Sequence, residues 1–293
     1  MAKEMSTAEV PSKPRTKRAP RKESELSLTA GEAPSNSLVR LLEVLTLFTP
    51  AAPVWSSEEL IRSQGLSRST GYRYIKALGD AGLIAAVSNG HYILGPLIIQ
   101  LDHQIRQCDP LYIASGEILE SLVQATGCSA QVCALYSSTV LCVREELTED
   151  SPPNILSRGQ QRPLFLGAAS KIILAHLRPH QLRSIYKKSA KTIATSGLGA
   201  DWTAFRETLG RIRLEGYTYT VGEINPGVFG LSAPIFNRSG HILGSLGITG
   251  SPSRIKRSEI QSFSNIVVEA AAAVTERVGN TNVGTDRPPR AVG

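Results

Sequence analysis

The chain has 293 residues, of which 41% are hydrophobic and 19% are charged. Since one domain takes about 150 residues, this length and composition predict two domains with packed cores and exclude a wholly disordered chain. No apolar run approaches the ~20 residues that cross a bilayer, and the N-terminus lacks the apolar segment of a secretory signal, so we expect a cytoplasmic protein without a membrane partner. The four cysteines and five histidines are too scattered to predict a disulfide framework, a metal site or a bound cofactor.

The positive charge is concentrated near the N-terminus. The formal net charge is +7, and residues 11–22 alone carry six basic side chains and no acidic one. Residues 1–35 also contain four prolines and few large apolar side chains, so we expect them to be a disordered basic arm, as we expect a disordered tail over 279–293. The arm fits a phosphate-binding segment and a merely solvated tail equally well.

The first folded segment, residues 36–95, has the pattern of a winged helix-turn-helix. Apolar spacing predicts a first helix over 37–48, which begins after the cap-forming run 35–37 and ends at the prolines that follow. Two further helices over 57–64 and 68–81 are expected to begin at Ser56 or Ser57 and at Ser67. Extended runs over 83–87 and 91–94 flank Asn89-Gly90, a strong signal for a two-residue hairpin turn.

The third of these helices has the composition of a DNA-reading helix. Arginine can hold guanine edges, while hydroxyl groups suit phosphate oxygens. The candidate DNA-binding residues are Ser67, Arg68, Ser69, Thr70, Tyr72, Arg73 and Lys76. A basic helix face used for protein contacts is the alternative. Gly71 stands at an inward position where an apolar residue is expected, so either a neighbour such as Tyr74 fills the gap or DNA stabilises the helix.

The rest of the chain has an α+β pattern. A connecting helix over 96–111 has an apolar face that we expect a second copy of the chain to cover. The predicted helices that follow span 113–125, 168–177, 179–186, 203–215 and 257–278. The predicted strands span 129–136, 139–144, 154–157, 217–221, 228–237 and 242–249, and they favour an antiparallel or mixed sheet.

No motif in this second domain indicates catalysis. The sequence lacks a recognisable nucleophile–base pair, a phosphate-binding loop and a dinucleotide fingerprint. Glycines that lie in or beside strands indicate either a ligand cavity or tight packing. These are Gly222, Gly227, Gly230, Gly244, Gly247 and Gly250. The alternative to a DNA-binding regulator is a small-molecule-binding or enzymatic α+β domain whose winged helix contacts proteins.

Three segments resemble one family. The stretch G-L-S-R-S-T-G-Y-R-Y-I-K-A-L from Gly65, with G-H-Y-I-L-G at the end of the hairpin, is similar to the winged helix of the IclR family of bacterial transcriptional regulators. The stretch from Gly216, G-Y-T-Y-T-V-G-E-I-N-P-G-V-F-G-L-S-A-P-I-F-N, resembles that family's signature. Residues 159–171 resemble its loop leading into a helix beside the ligand cavity. The resemblance covers roughly residues 36–278.

The resemblance implies a fold and a mode of action. It implies an N-terminal winged helix-turn-helix over 36–95, a linker helix over 96–111 and a C-terminal GAF-like mixed α/β domain over 112–278. A homodimer or homotetramer would bind approximately palindromic operator DNA, and a small organic-acid or aromatic metabolite in the C-terminal domain would control it, without catalysis. Activator and repressor roles both stay open.

The implied effector-binding residues depart from the family pattern. They are Leu166, Gly167, Ala168, Thr220, Gly230, Gly247 and Thr249. Thr220 replaces the usual Asp or Ser, Gly230 replaces Cys, Ser or Ala, and Gly247 stands where a serine can occur. Because these changes remove polar side-chain groups, the sequence predicts a larger or more apolar ligand, such as an aromatic acid, over one of glyoxylate size.

Overall fold

The computed structural model describes residues 36–136, 139–151 and 157–280. The predicted arm over 1–35 lies outside this range, as does the predicted tail from residue 281 onward. Gly279 and Asn280, which were placed in that tail, belong to the last helix. Across the described residues, no helix is both long enough and apolar enough to cross a membrane. The chain divides between Gln100 and Leu101 into two compact units.

The first unit is a winged helix-turn-helix, as predicted. Its elements are α1 (Ser37–Glu43, continued by a 3-10 turn over Val44–Leu47), β1 (Trp55–Ser56), α2 (Ser57–Ser63), α3 (Arg68–Asp80), β2 (Ile84–Val87) and β3 (His91–Leu94). The strands form an antiparallel sheet in the order β1-β3-β2. Each helix begins at a capping side chain, namely Asn36, Ser56 and Ser67.

Two details of the wing differ from the prediction. The connection between β2 and β3 has three residues, because Val87 pairs with His91. Asn89 and Gly90 still supply the turn, with φ of 60° and 67°. Asparagine and glycine adopt these positive φ values more readily than other residues. Strand β1 was not predicted, because two residues are too short to show an alternating pattern.

Gly71 lies where α3 crosses α2. A Cβ atom at this position would lie 2.2 Å from Cγ1 of Ile61, which is buried on α2. A neighbouring side chain therefore fills the gap, as one of the two expectations had it, but the neighbour is Ile61 on α2 and not Tyr74. The close crossing excludes any side chain here, and glycine is the residue that permits it.

The connecting helix is shorter than predicted. Helix α4 spans Pro96–Cys108, and α5 spans Pro110–Thr126. The predicted boundary at residue 111 is wrong because Asp109 caps α5, its carboxylate accepting a hydrogen bond from the Tyr112 backbone N–H at 2.8 Å. Proline at the first position of α5 suits a helix start, where no N–H is needed.

The second unit is one antiparallel sheet with helices on both faces. Its strands are β4 (Ser129–Tyr136), β5 (Thr139–Glu146), β6 (Gln161–Arg162), β7 (Thr218–Val221), β8 (Phe229–Phe236) and β9 (Ile242–Gly250), in the order β6-β5-β4-β9-β8-β7. Its remaining helices are α6 (Ala168–Ala175), α7 (Pro179–Thr195), α8 (Trp202–Glu215) and α9 (Ile260–Asn280). One core lies between the sheet and α5 with α9, and the other between the sheet and α6 to α8.

Most predicted elements of this unit are present, with three differences. The strand expected over 154–157 falls largely outside the described residues, Ser157 is not in a strand, and β6 lies four residues later. Helix α7 runs nine residues beyond its predicted end at residue 186. Helix α9 starts at Ile260, after a 3-10 turn over Arg257–Glu259.

Candidate functional site

Helix α3 presents one buried and one exposed face. Gly71, Tyr74, Ile75 and Leu78 are buried. The opposite face is exposed and holds Ser69, Tyr72, Arg73 and Lys76 at the i, i+3, i+4, i+7 spacing of neighbours on one side of a helix. Arg68 is exposed one turn before Tyr72, and Thr70 is half-buried. Six of the seven DNA-binding candidates therefore lie on α3, and Ser67 precedes it.

The hydroxyl groups at the start of α3 hold the helix end together. Ser67 Oγ accepts a hydrogen bond from the Thr70 backbone N–H at 3.3 Å and donates one to Thr70 Oγ1 at 3.0 Å. Ser67 is thus the N-cap, which gives it a structural task whatever else it contacts. Arg68, Arg73 and Lys76 make no ion pair within the described residues, so their charges are free for an anionic partner.

A cavity opens in the second unit between the sheet and the start of α6. Its wall combines five strands, the first turn of α6 and the loop between β7 and β8. The lining residues are Gln131, Arg162, Gly167, Ala168, Ala169, Thr220, Glu223, Ile224, Asn225, Val228, Phe229, Gly230, Ser232 and Thr249. The whole space, including the open mouth, measures about 460 Å³. The cavity itself has a volume of about 40 Å³, which is room for roughly three waters.

Glu223 ties the mouth of the cavity to α6. Its carboxylate accepts hydrogen bonds from the Gly167 backbone N–H at 2.8 Å and from Lys171 Nζ at 2.5 Å. Gly167 has φ of 80°, and a Cβ there would lie 2.5 Å from Cδ1 of Ile224. The backbone conformation therefore requires glycine, and the end of the Ile224 side chain occupies the space beside it.

Arg162 brings an unbalanced positive charge into the cavity wall. Its Nη2 donates to Oε1 of Gln131, while its buried Nε has no hydrogen-bond partner among the described residues. No carboxylate in the described chain forms an ion pair with it. The Cys142 thiol, which hydrogen-bonds to Cys133, and the guanidinium of Arg162 together lower the pKa of the Cys133 thiol to about 7.

The local charge of the cavity is positive. Glu223 neutralises Lys171, so Arg162 leaves the charged side chains of the cavity wall with a net charge of +1. The N-terminal end of α6 adds the positive end of a helix dipole. Buried charged groups are stable when they are paired. The arrangement therefore favours an anionic ligand, with a carboxylate as the group that matches the arginine donors.

Hydroxyl groups line the other side of the cavity. Thr249 Oγ1 donates to the Phe229 carbonyl at 2.7 Å. The side chains of Thr220 and Ser232 are buried against the cavity. These groups can orient a ligand whose anionic end lies at Arg162.

The sequence-derived effector residues are partly brought together. Gly167, Ala168, Thr220, Gly230 and Thr249 line the cavity, whereas Leu166 and Gly247 do not. At Gly247 a Cβ would lie 2.4 Å from the Leu231 carbonyl and 2.2 Å from Ser232 Oγ. This glycine therefore serves strand packing.

Sequence reasoning missed the charged lining residues. Arg162 is a single arginine in a polar stretch, and the short strand that positions it gives no pattern. Glu223 lies inside the signature stretch and could have been found there. The expected loss of polar groups at Thr220, Gly230 and Gly247 stays a prediction, and β4, β6 and the β7–β8 loop supply polar groups that it did not consider.

The comparisons with known proteins decide the family. Residues 37–88 match the IclR helix-turn-helix domain, and residues 105–276 match the bacterial transcriptional regulator IclR C-terminal domain. The chain belongs to the IclR family. It is a transcriptional regulator with an N-terminal DNA-binding helix-turn-helix and a C-terminal effector-binding domain. The alternative of an unrelated α+β domain with a protein-binding winged helix is set aside.

Named relatives are similar along most of this IclR-family chain. The HTH-type transcriptional regulator BhcR of Paracoccus denitrificans is 24% identical over 80% of this chain and 84% of its own. The transcriptional repressor IclR of Escherichia coli K12 is 24% identical over 83% of this chain and 90% of its own.

Solved structures share the fold. An IclR transcriptional regulator from Alicyclobacillus acidocaldarius has a TM-score of 0.70 at 22% identity, covering 83% of this chain and 98% of that one. An IclR homolog from Microbacterium hydrocarbonoxydans, solved in complex with 4-hydroxybenzoate, has a TM-score of 0.68 at 18% identity, covering 84% of this chain and 100% of that one.

Proposed function

We propose that α3 of this IclR-family regulator lies in the major groove of an approximately palindromic operator. The exposed face of the helix supplies the contacts: Ser67, Ser69 and Thr70 to phosphates, and Arg68, Tyr72, Arg73 and Lys76 to bases and phosphates. The support is that Arg68, Arg73 and Lys76 are exposed and unpaired within the described residues.

Fluorescence anisotropy with duplex DNA selected by the full-length protein from a random library tests this role. Arg73→Ala should weaken binding of the selected DNA by about 10-fold or more, since a good base contact contributes about 1–3 kcal/mol. Arg211→Ala, which removes an exposed arginine of α8, is the charge-matched control and should bind as the wild type does. Equal binding by Arg73→Ala would remove Arg73 from the proposed contacts.

We propose that the effector is an organic acid whose carboxylate binds Arg162. The buried Nε of Arg162, without a partner among the described residues, carries this proposal. Thr220, Ser232 and Thr249 line the cavity from other strands of the same sheet and would bind the polar end of the ligand. Leu166 and Gly247 leave the set of effector residues.

The size of the cavity separates two ligand classes. As it stands, the cavity has room for an acid of two or three carbons. An apolar cavity of on the order of 150 Å³ binds benzene, so an aromatic acid requires this cavity to widen. The sequence-based preference for an aromatic acid stays a prediction, and the 4-hydroxybenzoate complex of the Microbacterium homolog is in keeping with it.

Isothermal titration of the full-length protein tests the carboxylate site. The panel is benzoate, 4-hydroxybenzoate, pyruvate and glyoxylate, each compared with its amide. Arg162→Met should weaken every acid that binds by about 10- to 100-fold, because a hydrogen bond to a charged group contributes about 1.5–3 kcal/mol. Arg211→Met is the control. Unchanged binding to Arg162→Met refutes the site, and binding of glyoxylate or pyruvate alone refutes the aromatic preference.

We further propose that this protein acts in the cytoplasm as a homodimer or homotetramer and by binding alone, without catalysis. The exposed apolar side chains of α4, Ile99, Leu101 and Ile105, support self-association because solvated apolar patches are unfavourable. Analytical ultracentrifugation tests the oligomer. The Ile99→Asp/Ile105→Asp variant should sediment as a smaller species, and unchanged sedimentation would place the interface elsewhere.

A further inference from the structure

A cluster of arginines surrounds Tyr112 at the start of α5. The guanidinium carbons of Arg144, Arg158 and Arg106 lie 4.6, 4.7 and 5.8 Å from the centre of its ring. Asp102 of α4 holds two of them, through Arg106 Nε at 2.7 Å and Arg158 Nη2 at 2.9 Å. We call these five residues the Tyr112 cluster. Its function is not accounted for by DNA binding or by the cavity lining.

Arg158 is the most firmly held member of the Tyr112 cluster. Its Nε and Nη2 both donate to Oδ1 of Asp102, at 3.1 and 2.9 Å, and its Nη1 donates to the Val143 carbonyl on β5. Its backbone N–H donates to Oε2 of Glu145 at 2.9 Å. The side chain is only 17% exposed. A displacement of this residue would therefore break several hydrogen bonds together.

The segment that carries Arg158 leads directly to the cavity. Arg158 is the second residue of a tight turn that is closed by the Gln160 N–H, which donates to the Ser157 carbonyl at 3.0 Å. The turn is held on β5, where the Gly159 N–H donates to the Cys142 carbonyl at 2.8 Å and the Cys142 N–H donates to the Gln160 carbonyl at 3.1 Å. Four residues after Arg158, Arg162 lies in the cavity wall. Over so short a connection, a shift of Arg162 toward a bound anion acts on the turn.

We propose that the Arg158–Asp102 ion pair transmits occupancy of the cavity to helix α4. This inference rests on the proposed carboxylate site. A carboxylate that draws Arg162 inward changes the turn at Arg158 and with it the ion pair between Arg158 and Asp102. Because α4 is continuous from Pro96, in the first unit, to Cys108, a change at Asp102 reaches the chain that leads to α3.

A ligand can shift DNA binding only through contacts that differ between two states. Asp102 provides such a contact, because its ion pair with Arg158 ties α4 to the turn before β6 and can differ between the two states. Asp102 and Arg158 are positioning residues here, and neither lines the cavity or α3. Their loss should uncouple the two binding events without removing either of them.

The first test compares DNA affinity with and without saturating benzoate or pyruvate, for the wild type, Asp102→Ala and Arg106→Ala. For the wild type the affinity should change by about 5- to 150-fold. For Asp102→Ala the change in DNA affinity caused by the acid should fall to less than about twofold. The affinity of this variant for DNA alone, and for the acid alone, should stay within about threefold of the wild type. Arg106→Ala leaves the Arg158–Asp102 pair and should keep most of the wild-type response. A full response in Asp102→Ala overturns the proposal.

The second test needs no ligand and separates failure of this inference from failure of the carboxylate site. Amide hydrogen exchange of the full-length protein reports on residues 157–162. Asp102→Ala should speed their exchange several-fold, whereas Glu117→Ala, which breaks the exposed Arg277–Glu117 pair, should not. If neither acid binds the wild type, the carboxylate site is wrong, and unchanged exchange in Asp102→Ala then refutes the link to α4.

Discussion

Replacing Gly71 with alanine probes the crossing of α2 and α3 that positions the exposed face of α3. The new Cβ would lie 2.2 Å from Ile61 Cγ1 and 2.8 Å from its Cδ1, far inside the ~3.5–4.0 Å of favourable carbon contacts. Ile61 is buried and β-branched, so it has little freedom to turn away. Overpacking costs about 1–3 kcal/mol and alanine returns about 1 kcal/mol of helix propensity, so we expect the first unit to lose up to about 2 kcal/mol.

The two tryptophans make the assay specific for one unit. Trp55 lies in β1 of the first unit, with its Nε1 donating to the Leu47 and Ala52 carbonyls. In a Trp202→Phe background, Trp55 is the only tryptophan of the chain, so its fluorescence in urea follows the first unit. Gly71→Ala should lower the urea midpoint.

Gly79→Ala is the matched control on the same helix. A Cβ at Gly79 meets no atom within 4 Å, so this variant should be stabilised by up to ~1 kcal/mol. Adding Ile61→Ala should reduce the effect of Gly71→Ala, because the two side chains then no longer collide. Equal stabilisation by Gly71→Ala and Gly79→Ala would refute the steric argument.

Three other predictions concern the cavity, pH and salt. A Cβ at Gly230 meets Ala168 Cβ at 3.4 Å, so Gly230→Ala should fold normally but bind the acid about 10-fold or more weakly, as measured by calorimetry. Gly247→Ala should instead lower the unfolding midpoint. Normal ligand affinity in Gly230→Ala would contradict the cavity assignment. Burial lowers the pKa of His176 below 6.5, so the unfolded chain binds the extra proton first and stability should fall as pH drops below 6.5, until the folded-state pKa is passed. His176→Asn should flatten that loss in melting temperature between pH 7.5 and 5.5, and an unchanged slope would exclude His176. Lys76→Ala should reduce the slope of log affinity against log salt for selected DNA by about 1, the share of one phosphate contact; an unchanged slope would exclude that contact.

Local chemistry made much of the fold predictable. Helix starts were found because short polar side chains satisfy free backbone N–H groups, as at Asn36 and Ser67. The hairpin was found because Asn89-Gly90 adopts positive φ readily. Both signals lie within a few residues of sequence.

Features that depend on distant contacts could not be predicted. The close approach of Ile61 to Gly71 arises only where two helices cross. The position of Arg162 in the cavity wall arises only from the pairing of β6 with β5. Asp102 and Arg158 are 56 residues apart, and nothing in either local sequence indicates their ion pair. Such residues become functional candidates only when the sheet brings them together.

The most direct test of the central claim is the affinity of full-length protein for its selected DNA, measured with and without an acid that binds the cavity. We predict that the acid changes the affinity of the wild type by at least fivefold and leaves that of Arg162→Met unchanged. The same acid response in both proteins would contradict control of DNA binding from this cavity.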